Sequence, residues 1–129
     1  MNLVSLRLIT DEVKRLVEFY EAVTGLRATR YTDEFAELAT QSGVLAIGSK
    51  RTMDFFGASA ARSTDNHIAI IEFRDDREYE NLKKTIREFV PAPTTQPWRN
   101  RAIMFRDPDG NLINYFTPVS AEAIQKYDG

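Results

Sequence analysis

The stretch 101–118, RAIMFRDPDGNLINYFTP, limits what this chain can fold into more than any other part of the sequence. At its centre Asp107, Pro108 and Gly110 are the residue types favoured at the first, second and fourth positions of a type I turn. Runs of β-forming residues flank the turn, AIMF before it and LINYF after it, so the stretch predicts a β-hairpin. Asn114 is a single amide among apolar neighbours on one face of the second arm, which makes its role a question of function.

Composition narrows the possible functions. The chain has 129 residues, of which 43% are hydrophobic, so it is large enough to bury the core of one domain. A formal net charge of −2 gives no basic footprint for nucleic acid, and the lack of cysteine excludes disulfides, thiolate zinc sites and a cysteine nucleophile. No apolar run approaches the roughly 20 residues of a membrane span, and no signal peptide opens the chain. We therefore expect a cytoplasmic protein with neither a nucleic-acid nor a membrane partner.

The first half of the chain predicts one helix among four strands. Residues 3–9 alternate between apolar and mixed positions, which is typical of a strand. Thr10 as N-cap, apolar residues at helical spacing and Gly25 as a left-handed C-cap predict a helix over 11–24. Runs of β-forming residues between turn residues predict three further strands, at 26–31, 35–40 and 44–49.

The second half repeats this order after an interruption at 50–66. Residues around Met53 predict one helical turn, and the small and polar run GASAARSTDN predicts a flexible connector. The repeat then comprises a strand at 67–73, a helix at 75–90, a short edge strand or loop in PAPTTQPW, and hairpin arms at 101–106 and 111–117. Ser120 is suited to cap a C-terminal helix at 121–127.

Three sets of residues together carry a resemblance to a known family. They are Phe19-Tyr20 with Val23 and Gly25-Leu26 in the first helix, HIAI starting at His67, and FRDPDGN with LINYF in the hairpin. On these residues nearly the whole chain resembles the vicinal oxygen chelate superfamily, which includes glyoxalase I, bleomycin-resistance proteins and extradiol dioxygenases. The resemblance implies an α+β fold of two βαβββ modules, whose curved mixed sheet forms a half-open cavity with the helices outside. The implied single domain 1–129 has modules near 1–49 and 67–118, a connector at 50–66 and a short C-terminal helix at 119–129.

The resemblance also implies where the metal ligands of the family's enzymes would fall. The four positions are Ser5, Ala46, His67 and Asn114. Ala46 cannot ligate a metal, and the hydroxyl of Ser5 and the neutral amide of Asn114 are poor ligands for Zn²⁺ or Fe²⁺. Only His67 is a strong ligand, so we expect no metal and no other cofactor.

Strand alternation indicates which side chains line the implied cavity. Ser5 and Arg7 lie on the face opposite to the apolar positions Val4, Leu6 and Leu8. We expect those three apolar residues to face a helix-covered core, which turns Ser5 and Arg7 toward the cavity. The same parity turns Asn114 toward it from the hairpin. The predicted ligand-binding set is Ser5, Arg7, His67, Trp98 and Asn114.

Each charged or aromatic candidate has an alternative role. Arg7 could bind a carboxylate or phosphate of a ligand, or it could pair with Glu37 or Glu72 or reach solvent at the sheet rim. His67, the single histidine, could line the pocket or hydrogen-bond a nearby backbone group, and it is the best candidate acid or base. Trp98 could stack on a planar ligand or anchor the Pro-rich loop. No catalytic residue is assigned.

Three classes of function stay open. The first is a metal-free protein that encloses a small organic molecule, as bleomycin-resistance members do. The second is an enzyme of lyase, isomerase or dioxygenase type, metal-free or with a relocated metal site, that uses His67 and Arg7. The third is an interaction or regulatory subunit with a filled cavity. Because members of the family commonly pair, we expect a homodimer with two equivalent pockets.

Overall fold

The computed structural model describes residues 1–56, 70–90, 94–95 and 100–129, and these divide between two compact units, Met1–His67 and Ile68–Gly129. The first unit contains strands β1 (Ser5–Thr10), β2 (Thr29–Thr32), β3 (Phe35–Ala39) and β4 (Val44–Ser49), helix α1 (Val13–Thr24) and a 3₁₀ helix (Lys50–Phe56). The second contains β5 (Ile70–Arg74), β6 (Thr94–Thr95), β7 (Asn100–Arg106), β8 (Leu112–Pro118), α2 (Tyr79–Leu82) and α3 (Ala121–Asp128). Each unit has the predicted order of one strand, one helix and three strands. Of the connector predicted at 50–66, residues 50–56 form the 3₁₀ helix, where one helical turn was predicted, and residues 57–66 lie outside the described residues.

The two units build their sheets in the same way. The strand orders are β1-β4-β3-β2 and β5-β8-β7-β6, so the first strand of each unit lies beside its last. That pairing is parallel in both units, whereas the other strand pairs are antiparallel. Two mixed sheets with few helices confirm the predicted α+β fold class. None of the helices in the described ranges is long and apolar enough to cross a membrane.

Helix α1 ends where the sequence predicts and begins two residues later. Its buried residues are Leu16, Val17, Tyr20 and Val23. Gly25 closes it with a φ of 74°, a left-handed conformation that glycine adopts without strain, and its N–H donates to the carbonyl of Glu21 at 3.0 Å. At the other end Thr10 accepts from the N–H of Glu12 at 3.1 Å, which stabilises the turn before the helix and delays its start.

The side chain of Glu21 ties the end of α1 to the start of β2. Its carboxylate accepts from Arg30 Nη2 at 2.7 Å and from the N–H of Ala28 at 2.9 Å. The hydrogen bond from Arg30 and, after it, that from Ala28 lower the pKa of Glu21 to about 2. The carboxylate therefore stays ionised, and the link persists, well below neutral pH.

The prediction that a helix covers the apolar face of β1 is wrong. Val4 is 65% exposed and Leu6 is 52% exposed, and only Leu8 is half-buried. Helix α1 packs mainly on β3 and β4, whereas β1 lies at the edge of the sheet. The alternation itself is kept, because Leu6 and Leu8 lie beside the buried residues of β4, Leu45 and Ile47.

The predicted helix at 75–90 is also wrong in extent, since α2 covers only Tyr79–Leu82. At its start the carboxylate of Asp75 accepts from the N–H of Arg77 at 2.7 Å, a local bond that competes with helix formation. Beyond Leu82 the backbone continues in turns, and the N–H of Val90 donates to the carbonyl of Met104 in β7 at 2.9 Å. Pairing with the sheet thus replaces the last turns of the predicted helix.

An aromatic cluster holds this segment on the sheet of the second unit. Phe105 is fully buried and makes edge-to-face contacts with Tyr115 at 5.2 Å and with Phe89 at 6.4 Å between ring centroids. Phe89 in turn contacts Tyr79 at 4.7 Å, and Tyr115 contacts Phe73 at 5.5 Å. Burial raises the pKa of Tyr115, so its phenol stays neutral. These rings form the core of the unit on one face of its sheet.

The hairpin between β7 and β8 has the predicted turn. The N–H of Gly110 donates to the carbonyl of Asp107 at 2.9 Å, and Gly110 has a φ of 89°. The carboxylate of Asp107 accepts from the N–H of Asp109 at 2.9 Å, the N–H of Asn111 at 2.9 Å and Nδ2 of Asn111 at 2.7 Å. Asp107 is only 5% exposed, so it is a structural carboxylate of the turn. The predicted cap of α3 is confirmed too, as Ser120 accepts from the N–H of Ala123 at 3.1 Å.

Candidate functional site

Ser5 and Arg7 lie on one face of the first unit's sheet, away from α1. Ser5 is the partner of Val44, and Arg7 is the partner of Ala46 in β4. Paired residues of neighbouring strands point to the same face, so the predicted parity of Ser5 and Arg7 is correct. Ala46 in turn pairs with Glu37 of β3, which gives a row of Arg7, Ala46 and Glu37 across the sheet.

Arg7 is stacked on an aromatic ring, an arrangement that sequence reasoning did not find. Its guanidinium carbon Cζ lies 4.8 Å from the centroid of the Phe35 ring. The ring of Tyr31 lies 5.8 Å from that of Phe35, and its hydroxyl donates to Oε1 of Glu37 at 2.9 Å. That hydrogen bond raises the pKa of Tyr31. We call these four residues, Arg7, Tyr31, Phe35 and Glu37, the Arg7 platform.

Arg7 and Phe35 of the Arg7 platform line a cleft with a volume of about 680 Å³. The cleft is lined by Arg7, Phe35, Arg51, Thr32, Asp33, Glu34 and Thr52. Arg51 lies 3.5 Å from a carboxylate oxygen of Glu34. The volume falls within the range of about 300–1,000 Å³ that is usual for small-ligand pockets. Two guanidinium groups beside an aromatic ring can bind a planar or aromatic molecule that carries an anionic group.

The absence of a side chain at Gly48 allows Thr52 and Phe35, which both line this cleft, to pack close to the backbone of β4. A Cβ added there would lie 2.8 Å from Oγ1 of Thr52 and 3.4 Å from the ring of Phe35.

Sequence reasoning did not identify Arg51 and Thr52 as residues that line the cleft. The signal that could have found them is the short connection after β4, because a helical turn that follows a strand directly returns its first residues to the end of that strand.

Asn114 is the candidate of the second unit. It lies in β8 between Glu72 of β5 and Met104 of β7, and it is 6% exposed. Its Nδ2 donates to Oε2 of Glu72 at 2.8 Å. Its Oδ1 is buried and has no hydrogen-bond partner among the groups that the structure describes. Such an orphaned acceptor is uncommon in a native protein.

Three of the five predicted site residues, Ser5, Arg7 and Asn114, lie in the part of the chain that the structure describes. Ser5 and Arg7 share a face of the first sheet, and Asn114 belongs to the second. His67 and Trp98 lie outside the described residues. The grouping of all five residues around one ligand stays a prediction.

The donors at the family's metal positions do not fit the family's metal. Ala46 offers a methyl group and Ser5 a hydroxyl, and the amide of Asn114 turns its N–H toward Glu72. Zn²⁺ and Fe²⁺ require imidazole, thiolate or carboxylate groups at several of these positions. Across residues 1–56, 70–90, 94–95 and 100–129, no cluster of three or more histidine, cysteine, aspartate or glutamate side chains could hold a metal ion.

Comparison with known proteins matches both units. The sequence model of the Glyoxalase/Bleomycin resistance protein/Dioxygenase superfamily matches residues 2–115. The chain is 26% identical over 125 residues to YraH of Bacillus subtilis (strain 168), an alignment that covers 90% of this chain and 98% of that protein. A glyoxalase/bleomycin resistance protein/dioxygenase from Nocardioides is similar in structure, with a TM-score of 0.73, 25% identity, and coverage of 94% of this chain and 85% of that chain. A family member from Burkholderia phytofirmans PsJN has a TM-score of 0.77 at 16% identity, over 92% of this chain and all of that chain, and shows likeness of fold alone.

Proposed function

The chain belongs to the glyoxalase/bleomycin resistance protein/dioxygenase superfamily, and from this we propose that it binds a small organic molecule with an anionic group at the Arg7 platform, without the family's metal. The observation that supports this most is the guanidinium of Arg7, stacked on Phe35 beside the cleft that Arg51 also lines. An arginine set on an aromatic ring at the mouth of a cleft is suited to recognition of a carboxylate or phosphate.

The geometry of the Arg7 platform favours an anion over other ligand groups. Stacking on Phe35 uses the face of the guanidinium, whereas its N–H donors lie in its plane and match the two oxygens of a carboxylate. The ring of Phe35 adds an apolar surface for the rest of the ligand.

Replacement of Arg7 by alanine tests this proposal. We expect the affinity for benzoate, measured by NMR titration, to fall about tenfold or more, because a charge-assisted bidentate contact is lost. Neutral benzamide, of nearly the same shape, should bind weakly to both proteins. The free energy of unfolding should change by less than about 0.5 kcal/mol, since Arg7 is exposed.

Lys14 provides the matched control, because its side chain is a cation 87% exposed on α1. Lys14→Ala changes the net charge equally and should leave the affinity for benzoate unchanged. If Arg7→Ala unfolds the protein but leaves the affinity unchanged, Arg7 is structural and the proposal fails. Stoichiometric metal in the purified protein, found by elemental analysis, would instead favour a superfamily enzyme with a relocated metal site. Mass spectrometry of co-purified small molecules would identify a natural ligand.

We also propose that the protein is a homodimer. The exposed apolar residues along and before β1, Leu3, Val4 and Leu6, lie at the edge of the first sheet and offer a surface for a second copy. Light scattering at micromolar concentration should give twice the chain mass. Leu6→Glu should shift the mass toward the monomer, whereas Val119→Glu, at another exposed apolar residue, should not. A monomeric mass for the unaltered protein would contradict the proposal.

A further inference from the structure

We infer that the pair of Asn114 and Glu72 in the second unit binds a cation rich in N–H donors, of the guanidinium or amidinium class. This second binding position is additional to the Arg7 platform, and its ligand is a cation, whereas the ligand proposed for the Arg7 platform is an anion. It depends on neither Arg7 nor the first unit, so each of the two proposals can fail alone.

The orientation of the Asn114 amide is fixed by its neighbour. An ionised carboxylate can only accept hydrogen bonds, so the amide must present its NH₂ group to Glu72, as the 2.8 Å contact from Nδ2 to Oε2 shows. Oδ1 then points away from Glu72. Rotating the amide by half a turn would set two acceptors against each other, and the orphaned Oδ1 is therefore a property of the pair.

The two arginines near Asn114 on this face of the sheet, Arg74 and Arg106, already have hydrogen-bond partners. Around Asn114 this face carries Ile70, Glu72 and Arg74 of β5, Leu112 and Phe116 of β8, and Ala102, Met104 and Arg106 of β7. Arg74 donates to Asp128 at 2.7 and 2.8 Å, and Arg106 donates to the carbonyl of Gly110 at 3.0 Å. The other described residues next to Asn114 on this face, apart from Glu72, are Ile70, Leu112, Phe116, Ala102 and Met104, whose side chains carry no N–H or O–H group.

Two acceptors without a matching donor specify the chemistry of the ligand. Oδ1 of Asn114 and the carboxylate of Glu72 can each accept from one N–H, and a guanidinium or amidinium group presents parallel N–H donors in one plane. The negative charge of Glu72 favours a cation over a neutral amide. Mg²⁺ or Ca²⁺ bound to this pair would have to take most of its six or more oxygen ligands from water.

Oδ1 of Asn114 is buried, so a ligand can reach it only if neighbouring side chains move. Met104 lies directly opposite Asn114 in β7 and is half-buried. Methionine has three rotatable bonds and repacks at low energetic cost. Glu72 is exposed, so the cation would first contact the carboxylate and then reach Oδ1 as Met104 moves aside.

An NMR titration with two matched cations tests the inference. Methylguanidinium should shift the side-chain NH₂ signals of Asn114, whereas tetramethylammonium, with the same charge but no N–H, should not. Asn114→Leu should weaken the binding of methylguanidinium about tenfold, and Glu72→Gln should weaken it about as much, because each removes one acceptor or its charge. Lys14→Ala, at an exposed cation on α1, should leave this affinity unchanged.

Thermal unfolding of both variants, run beside the titration, establishes that they are folded, and Glu72→Gln gives a second reading if Asn114→Leu does not fold. Equal binding of the two cations would overturn the inference, because charge alone would then be recognised. Unchanged affinity in folded Asn114→Leu would overturn it as well, and so would the absence of any shift with methylguanidinium. If the protein binds Mg²⁺ or Mn²⁺ and Asn114→Leu abolishes that binding, the pair is a metal site, and the inference of an organic cation is overturned.

Discussion

Replacement of Asp107 by alanine should lower the free energy of unfolding of the second unit by about 3 kcal/mol, because hydrogen bonds to a charged acceptor contribute about 1.5–3 kcal/mol each and do not add fully. The carboxylate accepts three hydrogen bonds inside the hairpin turn, from the N–H groups of Asp109 and Asn111 and from Nδ2 of Asn111. Because Asp107 is only 5% exposed, water could not fully replace these hydrogen bonds if the carboxylate were removed. Urea unfolding, followed by far-UV circular dichroism, would measure the loss.

Asp109 in the same turn provides the control. It is exposed, and alanine there should change the stability by less than about 0.5 kcal/mol. Asp107→Asn keeps one acceptor oxygen and should fall between the two. Equal effects of alanine at Asp107 and at Asp109 would mean that the turn forms from Pro108 and Gly110 alone.

The second large effect is expected at Phe105, where alanine should destabilise the second unit by about 3–5 kcal/mol through loss of buried area and formation of a cavity. Phe105 is fully buried and contacts both Phe89 and Tyr115. The segment after α2 lacks a continuous helix, so its attachment to the sheet depends on side chains such as Phe89. Hydrogen exchange at the N–H of Val90, which donates to Met104, should therefore accelerate together with the global loss.

Phe105→Leu separates the volume of the ring from its edge-to-face contacts. It keeps most of the apolar volume and should cost about 1.5 kcal/mol. A loss as large as that of alanine would mean that the aromatic contacts themselves hold the segment. A loss below about 1 kcal/mol for Phe105→Ala would show that the core rearranges to fill the space.

Local signals in the sequence predicted those elements whose causes are local. The bounds of β4 are as predicted, and so are the hairpin turn, the end of α1 at Gly25 and the cap of α3 at Ser120. Each depends on residues within a few positions of one another. The short α2 was missed because an Asx-type bond at Asp75 and the pairing of Val90 with Met104 both oppose the helical periodicity of that stretch.

The candidate site shows where sequence reasoning ends. Alternation along β1 correctly put Ser5 and Arg7 on one face, but alternation does not give the register between strands. The stacking of Arg7 on Phe35 and the pairing of Asn114 with Glu72 both depend on register across distant parts of the chain. The prediction that a helix buries the apolar face of β1 was wrong for a related reason, because hydrophobic periodicity does not indicate which strands a helix covers.

The parallel pairing of first and last strand in each unit has a consequence for synthesis of the chain. Neither sheet can be completed until its last strand has been made, because β1 waits for β4 and β5 waits for β8. All strands of the first sheet have emerged once Ser49 has left the ribosome, whereas the second sheet needs Leu112–Pro118 as well. A product that stops before Leu112 would keep every strand of the first sheet but leave β5 and one edge of β7 unpaired. Unpaired edges of this kind promote aggregation, so a nascent or truncated chain is most vulnerable between residues 74 and 112.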